Sequence, residues 1–266
     1  MEIIQQNDIL VAFLLTMIAG LSTGIGSFIS LLSKRTNTHF LSIALGLSAG
    51  VMIYVSFMEL MPESVTQFSE IYDEKLSNLY MLIGFFGGIG LIALIDRLVP
   101  EDENPHEVHL ENEMNHVQLK RTGIMMAMAI AIHNFPEGLA TFATALTSHE
   151  LAIPIVIAIA IHNIPEGVAV SVPIYHATGS KKKAFWYSFL SGMAEPVGAL
   201  LGILFLLPFW TPEISATLLS VVSGIMVYIS FDELLPATEK FGHHHLGILG
   251  IVIGMMLMAG SLYVMG

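Results

Sequence analysis

Eight long apolar blocks divide the chain, and they constrain its fold more than any other feature. The blocks span residues 8–32, 38–61, 78–98, 122–146, 151–176, 184–208, 213–236 and 244–265. A bilayer core of about 30 Å requires about 20 consecutive apolar residues of helix. The blocks lack the strict alternation of an outer-membrane barrel strand. The sequence therefore predicts an all-α polytopic membrane protein, with eight transmembrane helices in a single transmembrane domain over residues 1–266.

The composition excludes several other classes of protein. Apolar residues make up 54% of the chain and charged residues only 12%, whereas about a quarter of a soluble domain is charged. The chain has no Cys and a formal net charge of −12. A water-soluble globule, a disulfide-stapled secreted domain, a disordered chain and a basic nucleic-acid-binding protein are all incompatible with these values. The absence of Cys also excludes thiolate metal sites and Cys nucleophiles.

The positively charged residues predict the orientation of the helices. Nine of the ten Lys and Arg residues fall in loops on one predicted side, namely Lys34, Arg35, Arg97, Lys120, Arg121, Lys181, Lys182, Lys183 and Lys240. Cytoplasmic loops of membrane proteins carry an excess of Lys and Arg. We therefore expect these nine residues to face the cytosol and both termini to lie outside.

Two internal repeats accompany the apolar blocks. Residues 129–138 read AIAIHNFPEG and residues 158–167 read AIAIHNIPEG, which match at nine of ten positions. Residues 49–62 (AGVMIYVSFMELMP) and 223–236 (SGIMVYISFDELLP) match at eight of fourteen positions. Chance similarity between apolar helices is the alternative, but the shared Tyr, Ser, Glu and Pro favour a repeat. In the predicted orientation the members of each pair run in opposite directions. An inverted 3+2+3 repeat of this kind is typical of secondary transporters.

Polar side chains lie at one predicted depth in three consecutive helices. His133 and Glu137 are four residues apart and so share a helix face, and His162 and Glu166 repeat this spacing. Glu195 lies near the middle of the sixth block. A carboxylate at the bilayer centre costs at least about 2.5 kcal/mol. We therefore expect these groups to have a partner that offsets this cost.

A divalent cation would offset the cost of burying these groups. Neutral imidazole and carboxylate are ligands of Zn²⁺, Fe²⁺, Mn²⁺ and Co²⁺. Pro136, Pro165 and Pro196 stand close to the polar groups, and each removes a helix hydrogen bond and frees a carbonyl. A buried His–Glu hydrogen-bond network that only joins helices is the alternative. The occurrence of two such pairs and a further Glu at one depth favours a metal site.

The chain resembles the ZIP (Zrt/Irt-like) family of divalent metal transporters, and within it the bacterial ZupT-type branch. The resemblance lies in the HNFPEG and HNIPEG segments, the AEPVG of the sixth helix and the flanking repeats. The resemblance covers nearly the whole chain. It implies eight helices in the cell (inner) membrane, a homodimer and metal movement toward the cytosol. The central metal ligands that it implies are His133, Glu137, His162 and Glu166. It further implies a second metal position at Asn134, Asn163 and Glu195, with Met52 near the metal.

These observations together predict a secondary transporter that moves Zn²⁺, with Fe²⁺, Mn²⁺ and Co²⁺ as further candidates, into the cytosol by alternating access. The metal is expected to be the substrate and not a cofactor. No Walker A motif is present to bind ATP. A metal-selective channel and a metal-dependent receptor of the same architecture are the alternatives. An intramembrane metallohydrolase fits less well, because the H-E-x-x-H motif is absent; we expect no enzyme activity.

Acidic residues near two helix ends are predicted to act as gates. Glu59 lies at the outer end of the second helix, and Asp232 and Glu233 lie at the inner end of the seventh. Such carboxylates would receive a cation as it loses or regains water. Charged residues that reach toward the membrane surface from helix ends are the alternative.

The segment 99–120 is predicted to be an acidic, His-containing cytoplasmic loop. Its composition is typical of a disordered segment. His106, His109 and His116 are predicted to capture metal on the cytosolic side. An acidic loop that is only solvated is the alternative.

Overall fold

The computed structural model describes residues 6–32, 38–98, 116–147, 149–240 and 243–265. These residues are almost entirely helical and include no strand, which confirms the all-α prediction. In chain order the helices are α1 (Gln6–Leu32), α2 (Thr38–Val55, Ser56–Leu60 and Met61–Ser69), α3 (Glu74–Leu98), α4 (His116–Thr147), α5 (His149–Thr178), α6 (Lys181–Gly192, Ala194–Leu201, Gly202–Leu206 and Leu207–Phe209), α7 (Pro212–Ile229, Ser230–Leu234 and Leu235–Lys240) and α8 (His244–Met265). Each of these helices coincides with one apolar block of the sequence.

The hydropathy of the helices agrees with a protein that crosses the membrane several times. Within the described ranges, seven segments are long and apolar enough to cross a bilayer, one in each helix except α4. Helix α4 carries the polar residues His133, Asn134 and Glu137 and contacts α1, α5, α6 and α7. Polar residues of membrane helices face the interior of the bundle. Helix α4 is therefore an internal helix, and its polar face does not meet lipid.

The eight helices pack as two groups of four. Helices α1, α4, α5 and α6 form one group, and α2, α3, α7 and α8 form the other. Each group combines helices from both halves of the sequence repeat. The groups meet where α2 contacts α5 and where α4 contacts α7. An apolar cluster fills this joint, with Met52 and Met226 from one group and Ala140, Val168 and Ala169 from the other.

The second repeat is visible as a shared irregularity in α2 and α7. Each helix contains a π-helical turn at the same position of the repeat, at Ser56–Leu60 (SFMEL) and Ser230–Leu234 (SFDEL). The serine that opens each turn donates its hydroxyl to the carbonyl four residues earlier, at 2.8 and 2.7 Å. Such turns occur often at functional sites. The predicted gate carboxylates all lie within these two turns.

Glycines allow the helices of the first group to pack closely around the polar residues. A Cβ at Gly138 of α4 would collide with the carbonyl oxygen of Glu195 in α6. A Cβ at Gly167 of α5 would collide with the carbonyl oxygen of Thr23 in α1. Small residues at helix interfaces permit this approach of backbones in membranes. The two glycines therefore permit the close packing of α4 on α6 and of α5 on α1 beside the polar residues.

The prolines affect the three polar helices differently. Helix α4 continues through Pro136, and α5 continues through Pro165. Helix α6 is interrupted at Met193, three residues before Pro196. A proline cannot donate a backbone hydrogen bond and clashes with the preceding turn. The interruption opens the α6 backbone beside Glu195.

Candidate metal site

Helices α4 and α5 hold two His–Glu pairs between them, and each pair joins the two helices. His133 Nε2 lies 3.2 Å from Glu166 Oε2, and His162 Nε2 lies 3.0 Å from Glu137 Oε1. The four-residue spacing places the imidazole and the carboxylate of each helix on one face. All four side chains are at most 2% exposed. The structure thus brings together the four residues that the sequence singled out.

The two pairs differ in how well they satisfy their polar atoms. The His133–Glu166 contact has hydrogen-bond geometry, whereas the His162–Glu137 contact is close but poorly aligned. Both carboxylate oxygens of Glu137 and both ring nitrogens of His162 have no hydrogen-bond partner among the described residues. An unsatisfied buried polar group costs about 1–3 kcal/mol. A network that serves only to join helices would satisfy these atoms, so the geometry disfavours that alternative.

The spacing and chemistry of the pairs fit a divalent cation. Ligand atoms around a tetrahedral Zn²⁺ with bonds of about 2.0–2.1 Å lie about 3.3 Å apart, and the two His–Glu separations of 3.0 and 3.2 Å are close to this value. In the part of the chain that the structure describes, no three His, Cys, Asp or Glu side chains are grouped so that they could hold a metal ion. A cation that takes ligands from both pairs would therefore require rotation of these side chains.

Asn134, Asn163 and Glu195 extend the polar region toward α1 and α6. The Asn163 amide donates to Glu195 Oε1 and to the carbonyl of Ala19 at 3.0 Å. The Asn134 amide donates to the carbonyl of Ser191 at 3.3 Å, just before the interruption in α6. The Oδ1 atoms of both Asn residues and Oε2 of Glu195 accept no hydrogen bond within the described segments. Three buried oxygens are thus available to a cation.

The charge of this region favours cations strongly. Glu195 interacts electrostatically with both Glu137 and Glu166, and all three carboxylates are at most 1% exposed. Charges that are buried together interact much more strongly than charges in water. With neutral imidazoles the three ionised carboxylates would carry a charge of −3. One divalent ion would leave −1 and two would leave +1, so either occupancy lowers the electrostatic cost.

Ser48 of α2 is a member of the site that the sequence analysis missed. Its hydroxyl donates to Glu166 Oε1 at 3.0 Å, and it is fully buried. Ser48 lies one helical turn before Met52, which is a signal that could have identified it. The internal repeat gives no such signal, because the equivalent position in α7 is Val222.

Met52 and the predicted gate residues surround this centre at different levels. Met52 is fully buried in the apolar cluster between the two helix groups. Glu59 is partly buried in the π-helical turn of α2, and Asp232 and Glu233 are partly buried in the corresponding turn of α7. The carboxylate of Glu233 acts electrostatically on His133. Glu233, one of the predicted gate residues, is therefore close enough to His133 to influence a charge there.

The predicted cytosolic capture residues are only partly within the described chain. His106 and His109 lie outside the described residues, and His116 is the first residue of α4. Residues 116–120 of the predicted 99–120 loop are therefore helical. The Gln, Leu and Lys at positions 118–120 are good helix formers, which explains why α4 starts before the apolar block.

Comparison with known proteins gives an independent result. A family profile described as ZIP Zinc transporter matches residues 99–261. A protein named zinc transporter ZupT from Streptococcus mutans is 58% identical over 253 residues, which cover 94% of this chain and 96% of the relative. A protein of the same name from Akkermansia muciniphila is 56% identical over 95% of this chain and 97% of the relative. Another from Clostridium perfringens is 55% identical over 96% of this chain and 96% of the relative. The profile covers more than half of the chain and the relatives cover nearly all of it, and the chain therefore belongs to the ZIP zinc transporter family.

Proposed function

We propose that this protein is a secondary transporter that carries Zn²⁺ across the cell (inner) membrane into the cytosol. The observation that carries the proposal is the pair of buried, cross-connected His–Glu contacts inside a bundle of membrane helices. The names of the relatives point to the same ion. Fe²⁺, Mn²⁺ and Co²⁺ accept the same ligand types and are further candidate substrates.

The central ligands in this proposal are His133, Glu137, His162 and Glu166. The incoming cation exchanges its water molecules for these side chains, three of which, His133, Glu137 and His162, otherwise bury unsatisfied polar atoms. Asn134, Asn163 and Glu195 form an adjacent second position, and Met52 lies near the metal from α2. Their free oxygens and the shared negative charge support this assignment.

The division into two helix groups supports alternating access as the mechanism. The proposed ligands lie on α4, α5 and α6, within one group, while α2 and α7 belong to the other. The joint between the groups contains apolar side chains of both groups, so the proposed displacement slides apolar surfaces past one another. We propose that the α1/α4/α5/α6 group moves against α2 and α7 and exposes the site to each side in turn.

The gate residues complete the path of the ion. Glu59 receives the cation at the outer side, and Asp232 and Glu233 receive it at the inner side. The electrostatic interaction of Glu233 with His133 supports this inner role. His106, His109 and His116 then bind metal that has reached the cytosol. This direction assumes the orientation given by the Lys and Arg residues, with both termini outside.

A homodimer is the proposed assembly. Helices α3 and α8 are the most exposed of the seven apolar helices in the described ranges, since only 22% of the residues in the apolar segment of each are buried. Gly87 and Gly90 of α3 face open space, with nothing within 4 Å of a Cβ built on either. Exposed small residues on a membrane helix permit close contact with another helix. A second copy of the chain is the partner proposed for this face.

The test of the proposed function is radioactive zinc uptake into proteoliposomes, with Fe²⁺, Mn²⁺ and Co²⁺ as competitors. A carrier gives slow, saturable uptake, a channel gives fast uptake that does not saturate, and a receptor gives none. Glu137→Ala and Glu166→Ala are expected to abolish uptake, because each removes half of a His–Glu pair. Glu70→Ala, at an exposed position after α2, is the matched control. Uptake by both site variants at the parental rate would contradict the site assignment.

A further inference from the structure

The hydrogen bond between Ser48 and Glu166 joins the two helix groups, unlike the hydrogen bonds of Asn134 and Asn163 described above. The Asn134–Ser191 and Asn163–Ala19 bonds stay within the α1/α4/α5/α6 group. The Ser42 hydroxyl donates to the Thr238 carbonyl at 3.2 Å within the other group. Ser48 lies in α2 and Glu166 in α5, so this 3.0 Å bond crosses the joint between the groups.

The partner of Ser48 is also one of the proposed metal ligands. Glu166 uses Oε1 to accept from Ser48 and Oε2 to contact His133. Both Ser48 and Glu166 are 0% exposed, so water does not compete for the bond. A hydrogen bond to an ionised carboxylate is about twice as strong as one between neutral groups. Its strength therefore depends on how much negative charge Glu166 retains.

We propose that Ser48 is a metal-sensitive lock between the two helix groups. With Glu166 fully charged, the Ser48 hydroxyl holds α5 against α2 and keeps the groups docked. A cation bound to Glu166 draws on the same negative charge and weakens the bond to Ser48. The docked arrangement of the two helix groups is then less stable, and the group that carries the ion can move. Ser48 is a positioning residue in this scheme, and the inference rests on the proposed function.

The absence of Cys from the chain allows a direct test by thiol labelling of single-Cys variants. Val222→Cys reports on the joint, because Val222 is 1% exposed in the cluster that joins the two groups. Ile174→Cys is the matched reporter of general loosening, because Ile174 is 0% exposed in a cluster within the α1/α4/α5/α6 group. Each reporter is labelled with a small maleimide in purified protein, with and without added zinc.

The comparison is between Ser48→Ala and Ser42→Ala, which remove buried hydroxyls from the same helix. With Ser48 present, zinc is expected to accelerate labelling of Val222→Cys. In the absence of zinc, Ser48→Ala is expected to accelerate labelling of Val222→Cys about tenfold, which corresponds to the lower end of the free energy of a hydrogen bond to a charged group. Ser48→Ala is also expected to remove most of the acceleration that zinc causes. Ser42→Ala is expected to keep the zinc effect, and Ile174→Cys is expected to label slowly throughout.

The lock is overturned if Ser48→Ala leaves the labelling of Val222→Cys and its zinc dependence unchanged. It is also overturned if Ser48→Ala accelerates labelling of Ile174→Cys equally, since that result means general loosening. Zinc uptake by the otherwise unaltered chain separates this outcome from failure of the proposed function. A chain that transports zinc but shows neither effect contradicts only the lock, whereas a chain that takes up no zinc contradicts the transport proposal itself.

Discussion

A single methyl group at Gly20 is expected to disrupt the polar centre from the α1 side. A Cβ at Gly20 would lie 2.6 Å from the carbonyl oxygen of Gly192 and 2.9 Å from Cδ of Pro196. Ordinary van der Waals contact begins at 3.4 Å. Both neighbours are rigid, one a backbone atom and the other a proline ring. Gly20→Ala therefore forces α1 and α6 apart by about 0.8 Å at this point.

The consequence for the site is larger than the consequence for stability. Overpacking costs about 1–3 kcal/mol, and the higher helix propensity of Ala returns up to about 1 kcal/mol, so the protein should still fold. Glu195 directly precedes Pro196, and Ala19, which accepts from Asn163, directly precedes Gly20. Metal–ligand distances tolerate only about 0.2 Å. We expect zinc uptake at limiting zinc to fall at least about tenfold, as for loss of an outer-shell partner.

The control is Ile18→Ala, two residues earlier in α1, where the side chain is 55% exposed. Both variants are compared by zinc uptake in proteoliposomes and by thermal unfolding in detergent. Ile18→Ala is expected to keep parental uptake, because its side chain lies away from α6. Parental uptake by Gly20→Ala would refute the reasoning, and so would an equal loss of uptake in the two variants.

Two further predictions concern protons and the ends of the path. Zinc uptake is expected to weaken as the external pH falls from about 7 to about 5, because protons compete with the metal for the imidazole nitrogens of His133 and His162. If the KM for zinc uptake stays constant over this pH range, imidazole ligands are contradicted. Glu59→Gln and Glu233→Gln are expected to slow uptake several-fold while zinc binding by purified protein falls less than in Glu137→Ala and Glu166→Ala. The reason is that both residues lie in π-helical turns of the helix group that does not carry the central ligands. Loss of zinc binding in either variant, or normal uptake in both, would contradict the gate assignment.

The helices could be predicted because the bilayer imposes them. A lipid environment requires continuous internal backbone hydrogen bonding, so long apolar blocks leave little choice but helix. The four-residue spacing in HNFPEG and HNIPEG likewise fixed which groups share a face. The sequence therefore identified His133, Glu137, His162 and Glu166, the four buried residues that the structure brings together, because spacing within one helix decides which side chains share a face.

The pattern of contacts between helices could not be predicted. The i, i+4 spacing gives no sign that His133 pairs with Glu166 of the next helix rather than with its own Glu137. The contact depends on how α4 packs on α5, which the spacing within one helix does not specify. The close approaches of α4 to α6 at Gly138 and of α5 to α1 at Gly167 are likewise contacts between helices that the spacing does not specify.

Ser48 and the interruption of α6 are further features of this kind. A serine in an apolar helix is common, and only the packing of α2 on α5 places Ser48 beside Glu166. Prolines occur in all three polar helices, yet only α6 is interrupted, at Met193. Neighbouring helices decide whether a membrane helix remains continuous through a proline. Tertiary contacts therefore control what the sequence pattern leaves open.

The binding of zinc by His133 and His162 can be observed directly by zinc K-edge X-ray absorption on purified protein loaded with one zinc per protomer. We expect nitrogen and oxygen ligands at about 2.0–2.1 Å, with longer-range scattering from the imidazoles of His133 and His162. This imidazole scattering should be lost when both residues are replaced by Ala, while Glu70→Ala leaves the spectrum unchanged. A zinc ion surrounded only by oxygen in the parent protein, or imidazole scattering that persists without His133 and His162, would contradict zinc binding by these residues.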